Sequence, residues 1–253
     1  MADIAPSPHL AHASEPAFIG NRLLATFPGE LRRALRDEVE ILRLDAGDVV
    51  LRRGFDVESS IFPFGATMIS IIVDLADSRS VEVASIGREG AVGGIVSCGR
   101  APVFARAETI VGGPAARIPM RVIEQVKAGS GHLRNLFCRY SDYLLAQIMQ
   151  SVACNSFHSI EQRAARWLLT AQDRAGDRLV LTQEALAGLL GVQRTTINAV
   201  ARQLSDEGLI TTRRGTIQVE DRGALEARAC ECHDRVEHFF GDVIGEGGLG
   251  KPV

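Results

Sequence analysis

Lysine is nearly missing from this chain. Only Lys127 and Lys251 occur among its 28 basic residues, and the rest are arginine. Arginine suits bidentate contact with phosphate and guanine, but a GC-rich genome produces the same bias, so the bias alone assigns no function. Positive charge is not in surplus either: 31 acidic residues leave a formal net charge of −3. That excludes a globally basic coat for nucleic acid and makes any nucleic-acid surface a local one. No apolar run reaches the roughly 18 residues that span a bilayer, which excludes a membrane-crossing helix. Met1–Glu15 has no Lys, no Arg and no apolar core, so it does not read as a secretory signal, and a cytoplasmic location is expected. The five cysteines (98, 138, 154, 230 and 232) are odd in number and widely scattered. They do not read as a disulfide framework, and reduced thiols are expected.

What is present is ordinary in bulk. The chain is 46% hydrophobic and 23% charged over 253 residues, enough for two modest domains. Residues 1–18 carry several Pro, Ala, Ser and His without periodicity and are expected to be disordered. Leu23, Leu24, Phe27, Leu31 and Leu35 then recur at helical spacing around Pro28-Gly29, which predicts two short helices. From Val39 to Pro119 there are eight short β-like runs: Ile41–Leu44, Val49–Arg52, Ser60–Phe64, Met68–Leu75, Ser80–Ile86, Ala91–Ser97, Val103–Ile110 and Ala115–Ile118. Short strands separated by Gly-rich turns argue for a jelly-roll β-barrel rather than alternating βα units. Phe62 in Phe62-Pro63-Phe64 is expected to line it.

After Pro119 the chain turns helical. A long helix from about His132 to Ser156 shows one stripe of Leu133, Phe137, Tyr140, Leu144, Ile148 and Val152, and a second of Leu136, Tyr143, Gln147 and Ser151. A helix apolar over so much of its circumference needs neighbours on two sides. The barrel can cover one. The same helix of a second subunit is the candidate for the other, with the first stripe as the seam; burial within one chain fits the same pattern.

Leu181–Val219 is the most informative stretch. Thr182 is placed to cap a helix beginning Gln183-Glu184, and Thr182 and Gln183 are also candidate DNA contacts. Leu186, Ala187, Leu190, Gly191, Val192, Ile197 and Val200 fall where a helix-turn-helix needs a small core, a small crossing residue and a tight turn. The second helix, about Gln193 to Glu207, turns Ile197, Val200, Ala201 and Leu204 inward and Arg194, Thr195, Asn198 and Arg202 outward. Its first turn is where side chains reach base edges in the major groove. Arg194 suits guanine O6 and N7, while Gln193, Thr195 and Thr196 are short enough for phosphate or thymine. Leu209–Thr212, Arg213-Arg214-Gly215 and Thr216–Val219 then read as strand, tight turn, strand: a wing with two arginines at its tip. Four basic residues (194, 202, 213 and 214) face two acidic ones (206 and 207) between Gly188 and Thr216, the sign expected of a DNA face.

The order helix, jelly roll, long helix and winged helix-turn-helix resembles the Crp/Fnr family of bacterial regulators over about residues 19–225. The match is densest from Thr182-Gln183-Glu184 to Thr196-Ile197 and from Leu209-Ile210 to Arg213-Arg214-Gly215. Val81-Glu82-Val83 and Ile86-Gly87-Arg88-Glu89-Gly90 look like a branch of that family without an assigned ligand. The resemblance implies an α+β architecture: a disordered segment over 1–18, a β-barrel sensor-like domain over 19–120 and a helical linker with the dimerisation helix over 121–157. A winged helix-turn-helix over 158–225 and a terminal helix and tail over 226–253 complete it. It implies a homodimer on a palindromic site in double-stranded DNA, a signal passed through a hinge near Asn155–Ser159, and RNA polymerase as a further partner. Family recognition helices often begin Arg-Glu-Thr. Here Thr195 stands for the glutamate beside Arg194, which predicts a kept guanine contact and a different neighbouring base.

The cyclic-nucleotide branch uses Gly-Glu followed by Arg-Ser-Ala. This chain has Gly93-Gly94 and then Ala101-Pro102-Val103 at the corresponding place, which argues against cAMP. If the barrel holds an effector, its candidate residues are Phe62, Arg88, Glu89, Gly93, Gly94, Arg100 and Arg106, and the ligand is unassigned. No cysteine precedes the barrel, and none of the six His (9, 12, 132, 158, 233 and 238) lies in residues 39–119, so neither an iron–sulfur cluster nor haem is expected. The same lack of barrel His weighs against a jelly-roll metalloenzyme. Cys230-Glu231-Cys232-His233 is a weak zinc signal without a matching second cluster, so it reads as part of a terminal helix, and neither metal nor cofactor is expected. A partner-binding protein that had lost DNA recognition would show a replaced Arg194 or a broken wing, and neither is seen.

Overall fold

A computed structural model describes residues 15–95 and 101–244. Three short helices come first, α1 (Glu15–Gly20), α2 (Arg22–Ala25) and α3 (Gly29–Leu35), followed by a 3-10 turn at Arg36–Glu38. α1 begins inside the segment expected to be disordered. Ala17 and Phe18 are buried in one core with Leu23, Leu24 and Phe27, and that burial offsets the cost of ordering the chain. Asn21 fastens these helices to the barrel. Its side-chain oxygen accepts from the N–H groups of Leu23 and Leu24, and its amide donates to the carbonyls of Pro63 and Gly90, both at 2.8 Å.

Among the described residues the barrel has seven strands: β1 (Glu40–Leu44), β2 (Val49–Leu51), β3 (Ser59–Pro63), β4 (Met68–Asp74), β5 (Ser80–Ile86), β6 (Arg106–Val111) and β7 (Gly113–Pro119). They form two antiparallel sheets, β1-β7-β3 and β2-β6-β4-β5. Leu44, Ile61, Ile69, Ile86, Ala107 and Ala115 pack together between them. The sixth of the expected runs, Ala91–Ser97, is not a strand in its described part. Val92 makes an isolated bridge to Ile61, and Pro102 another to Asp56, before regular pairing resumes at Arg106.

Three helices follow, α4 (Met120–Gly129), α5 (Gly131–Phe157) and α6 (Ile160–Ala175). The break between the last two is written locally. Ser159 and Gln162 form a reciprocal capping box that starts a new helix. Then come β8 (Arg178–Leu179), α7 (Gln183–Leu190), α8 (Arg194–Asp206), β9 (Ile210–Arg213), β10 (Thr216–Val219), α9 (Arg222–Arg228) and α10 (Cys232–Val243). No described helix is long and apolar enough to cross a membrane.

The first half of α5 finds both of its neighbours within the chain. Phe137 meets Phe27 edge-on with ring centroids 6.2 Å apart, and Tyr143 meets Phe240 of α10 at 5.0 Å. Leu133, Phe137 and Tyr140 are therefore buried in the chain's own core and are not available as a dimer seam, and Leu144 is half-buried against the same core. The correction comes from Phe27, which lies on Phe137, and from the Ala91 backbone, which Tyr140 bonds, while α10 covers Tyr143 of the second stripe. Of the expected seam, Ile148 and Val152 are exposed, and Leu145 and Met149 join them on the surface.

The turn Gly87-Arg88-Glu89-Gly90 joins barrel, long helix and C-terminal domain. Arg174 of α6 reaches in, donating to Glu89 Oε1 at 2.6 Å, Ser85 Oγ at 2.8 Å and the Ser85 carbonyl at 3.1 Å. Burial favours the neutral acid at Glu89, but the charge and hydrogen bonds of Arg174 outweigh it and hold the carboxyl below its ordinary range. On the other side of the turn, Tyr140 Oη accepts from the Ala91 N–H and donates to the Ala91 carbonyl. Both approaches need glycine: a Cβ would lie 2.5 Å from Arg174 Cδ at position 87 and 2.0 Å from Tyr140 Oη at position 90. Nearby, Trp167 Nε1 donates to Glu82 Oε1 at 3.0 Å and Ser70 bonds the other oxygen. Burial pushes the Glu82 carboxyl up despite these bonds.

Candidate nucleic-acid interface

The C-terminal domain builds its outer face from short-range instructions. Thr182 Oγ1 accepts from the Ala185 N–H at 3.0 Å and caps α7. Gly191 ends that helix in the left-handed region, φ 67°, and the chain turns directly into α8. Ile197, Ala201 and Leu204 of α8 are buried against Leu186, Ala187 and Leu190, so the opposite side of the helix is left outside.

On that side lie Arg194, Thr195, Thr196, Asn198 and Arg202, all exposed, with Gln193 exposed at the N-cap position and making no side-chain cap bond. Gln183 is half-buried on the first turn of α7. A groove along α8 is lined by Thr195, Asn198, Ala199 and Arg202, with Asp206 and Glu207 at its far end. The wing is a hairpin in which Arg213 pairs with Thr216, so Arg213 ends a strand while Arg214 and Gly215 make the two-residue turn. Gly215 takes a positive φ of 72° at the second turn position, where glycine is favoured. Both wing arginines are exposed. β8 adds a third strand to the wing by pairing with β10, an element too short to leave a periodic signal.

The surface also holds a countercharge that the sequence reading passed over. Glu184 Oε2 lies 3.4 Å from Arg194, with side chains 73% and 66% exposed. At that exposure the pair contributes at most about 1 kcal/mol, and phosphate or a base can replace it. Counted from Thr182 to Thr216, the face has four basic residues against three acidic ones.

Residues 162–228 match the family model of the Crp-like helix-turn-helix domain. The chain carries a Crp-like helix-turn-helix domain. No curated protein sequence matches the chain at a significant level. Solved structures with this fold include FixK2 from Bradyrhizobium japonicum, with a TM-score of 0.65 and 14% identity over 76% of this chain and 98% of that one. A CRP-family transcriptional regulator from Thermus thermophilus gives 0.62 and 19% over 74% and 95%. The c-di-GMP responsive global regulator CLP of Xanthomonas campestris gives 0.61 and 18% over 76% and 99%. The overall fold is thus that of Crp/Fnr regulators, with the Crp-like helix-turn-helix domain at residues 162–228.

The candidate effector residues do not converge as the Crp-like domain's outer face does. Phe62 is fully buried in the core beneath α1 and α2 rather than lining an opening. Glu89 is committed to Arg174, and Arg106 to Asp74 at 2.5 Å and Glu108 at 3.1 Å. Arg88 is exposed. Met120 lies over Gly94, and Ser60 Oγ bonds the Gly93 carbonyl at 2.7 Å. Arg100 lies outside the described residues.

The cysteine cluster also needs correction. Cys230 and Cys232 do have a second cluster, Cys154 and His158 at the end of α5, whereas His233 turns away to Asp173 at 2.7 Å. Its signal in the sequence is Cys154-x-x-x-His158, one helical turn apart and so on one face.

Proposed function

We propose that this chain is a sequence-specific DNA-binding regulator that works in the cytoplasm as a homodimer on a palindromic operator, with RNA polymerase as a further partner. The observation that carries the reading is the division of α8: its apolar side is spent on the domain core, and Arg194, Thr195, Thr196 and Asn198 of its first turns are exposed. Arg194 is placed to read guanine, Thr195 and Thr196 the neighbouring base or phosphate, and Arg213 and Arg214 the adjacent backbone.

The second subunit is proposed to sit on the later half of α5. Leu145, Ile148, Met149 and Val152 are exposed there at the i, i+3, i+4, i+7 spacing that one helix offers another. Paired in this way, two recognition helices would meet half-sites about one DNA turn, roughly 34 Å, apart. A small-molecule effector bound through Glu89 or Arg106 would have to compete with the partners these residues already have within the chain.

Selection of bound sequences from a random DNA pool, with purified protein and no added ligand, tests the reading. The expected result is an enriched palindrome with a guanine in each half-site. Enrichment of a single unpaired half-site would remove the dimer, and no enrichment at all would overturn ligand-free recognition.

A further inference from the structure

We propose that Cys154, His158, Cys230 and Cys232 bind a zinc ion at the hinge between α5 and the C-terminal domain. The four ligand atoms all lie within 4.8 Å of one another. The three cysteines are buried and His158 is half-buried. Cys154 Sγ and Cys230 Sγ are 3.6 Å apart, and His158 Nδ1 is 3.4 Å from Cys232 Sγ. With Zn–S near 2.3 Å and Zn–N near 2.0–2.1 Å, a tetrahedral site has S···S edges of about 3.8 Å and S···N edges of about 3.5 Å. These two separations already sit at those values.

The donor set points the same way. Three thiolates and an imidazole suit zinc and not the hard, oxygen-seeking cations, and a closed set of four protein ligands is the pattern of a structural site. The surroundings supply the outer contacts such a site uses. Glu231 Oε2 stands 3.5 Å from His158 Nε2, the ring nitrogen away from the cluster, where it can hold the proton and leave Nδ1 free to ligate. Gln150 Nε2 donates to Cys232 Sγ at 3.0 Å, a contact that supports a thiolate. A disulfide between Cys154 and Cys230 would use two of the four groups and give the other two no task.

The ligands come from both sides of a joint. Cys154 lies in the last turn of α5 and His158 just after it, whereas Cys230 lies between α9 and α10 and Cys232 begins α10, beyond the wing. Binding would release the thiol protons to solvent and tie the end of the long helix to the domain that carries α8. The ion would thereby fix the hinge angle at His158–Ser159. Neither the site nor its test depends on whether the chain reads DNA.

The test is the metal content of untagged full-length protein, purified under reducing conditions with zinc supplied. About one zinc per chain is expected, and cobalt(II) in its place should give the intense absorption of tetrahedral thiolate coordination. Cys154→Ser and Cys232→Ser should each lose the metal, while Cys138→Ser, exposed and outside the cluster, should keep it. Glu231→Gln leaves all four ligands and alters only an exposed side chain, so it should fold and lose about 10–100-fold in zinc affinity by chelator competition. Protein that takes up neither zinc nor cobalt overturns the site, as does cobalt binding that survives in the Cys154→Ser/Cys232→Ser double variant. Metal-free protein with a Cys154–Cys230 disulfide would assign the cluster to thiol redox chemistry instead.

Discussion

Arg174 and Arg194 belong to one domain, yet Arg174 gives its guanidinium to Glu89 and Ser85 in a closed joint, while Arg194 touches Glu184 at 3.4 Å on an open surface. In the joint every bond is made inside the chain, and two glycines have given up their side-chain space to make them possible. On the outer face of α8 the fold is finished by Ile197, Ala201 and Leu204, and the polar groups are left without a structural duty. The same residue type is therefore an internal fastener in one region and, in the proposed function, an instrument for an outside partner in the other. Burial and partner count distinguish the two roles; residue identity does not.

The largest effect should come from breaking the joint. Glu89→Ala leaves Arg174 buried and unpaired, which typically costs about 3–5 kcal/mol. Urea unfolding should show that loss, and a change below about 1 kcal/mol would mean that Arg174 is not committed as described. The same comparison predicts that Arg194→Ala is nearly silent in unfolding, within the roughly 1 kcal/mol that its exposed pair with Glu184 can contribute. It should instead lower discrimination at the half-site guanine by about 1–3 kcal/mol, read by binding to matched and mutated operators. An Arg194→Ala protein that unfolds more easily but binds both operators as before would reverse the two roles.

These two regions were not equally legible in the sequence. The helix-turn-helix could be read because its determinants are near neighbours: the Thr182 cap, the left-handed Gly191 and the inward Ile197 all act within a few turns. The joint could not, since Glu89 and Arg174 are 85 residues apart, and Gly87–Gly90 alone looks like any barrel turn. Periodicity along α5 demanded two neighbours but could not choose between a second subunit and the chain's own elements. Phe27, lying on Phe137, took the place given to a second subunit, and α10 covers Tyr143 of the second stripe through Phe240. The cysteine cluster failed for the same reason, with Cys154 and Cys230 separated by 76 residues.

The joint can be probed more gently through pH. Glu89 has its carboxyl held below the ordinary range, so its contribution is present above its unfolded pKa and is lost as pH falls through the depressed folded value. Glu82 is the opposite case. Burial raises its pKa against the hydrogen bonds from Ser70 and Trp167 and the charges of Arg166 and Arg174. Its contribution is complete below the unfolded pKa and is lost as pH rises through the raised folded value. Glu82→Gln keeps an oxygen for the Trp167 N–H and removes the titration. Its stability relative to the parent should therefore improve from mildly acidic to neutral pH in a series of urea unfolding curves. A parent-to-variant difference that stays flat across that range would show that Glu82 titrates normally.

The smallest effect on folding belongs to the outer face. Glu184→Gln removes a carboxylate that pairs with Arg194 at 3.4 Å and lies in the first turn of α7. The exposed pair contributes at most about 1 kcal/mol, and the favourable position at the helix start about 0.3–1 kcal/mol. Stability should thus fall only slightly. DNA affinity should move the other way, because the variant frees Arg194 and takes a negative charge from a face that has only one basic residue in excess. The gain should be largest at low salt and shrink as salt screens the remaining charges. If Glu184→Gln instead weakens binding at every salt concentration, Glu184 is holding Arg194 in its reading position, and the outer face would share the pre-arranged character of the joint.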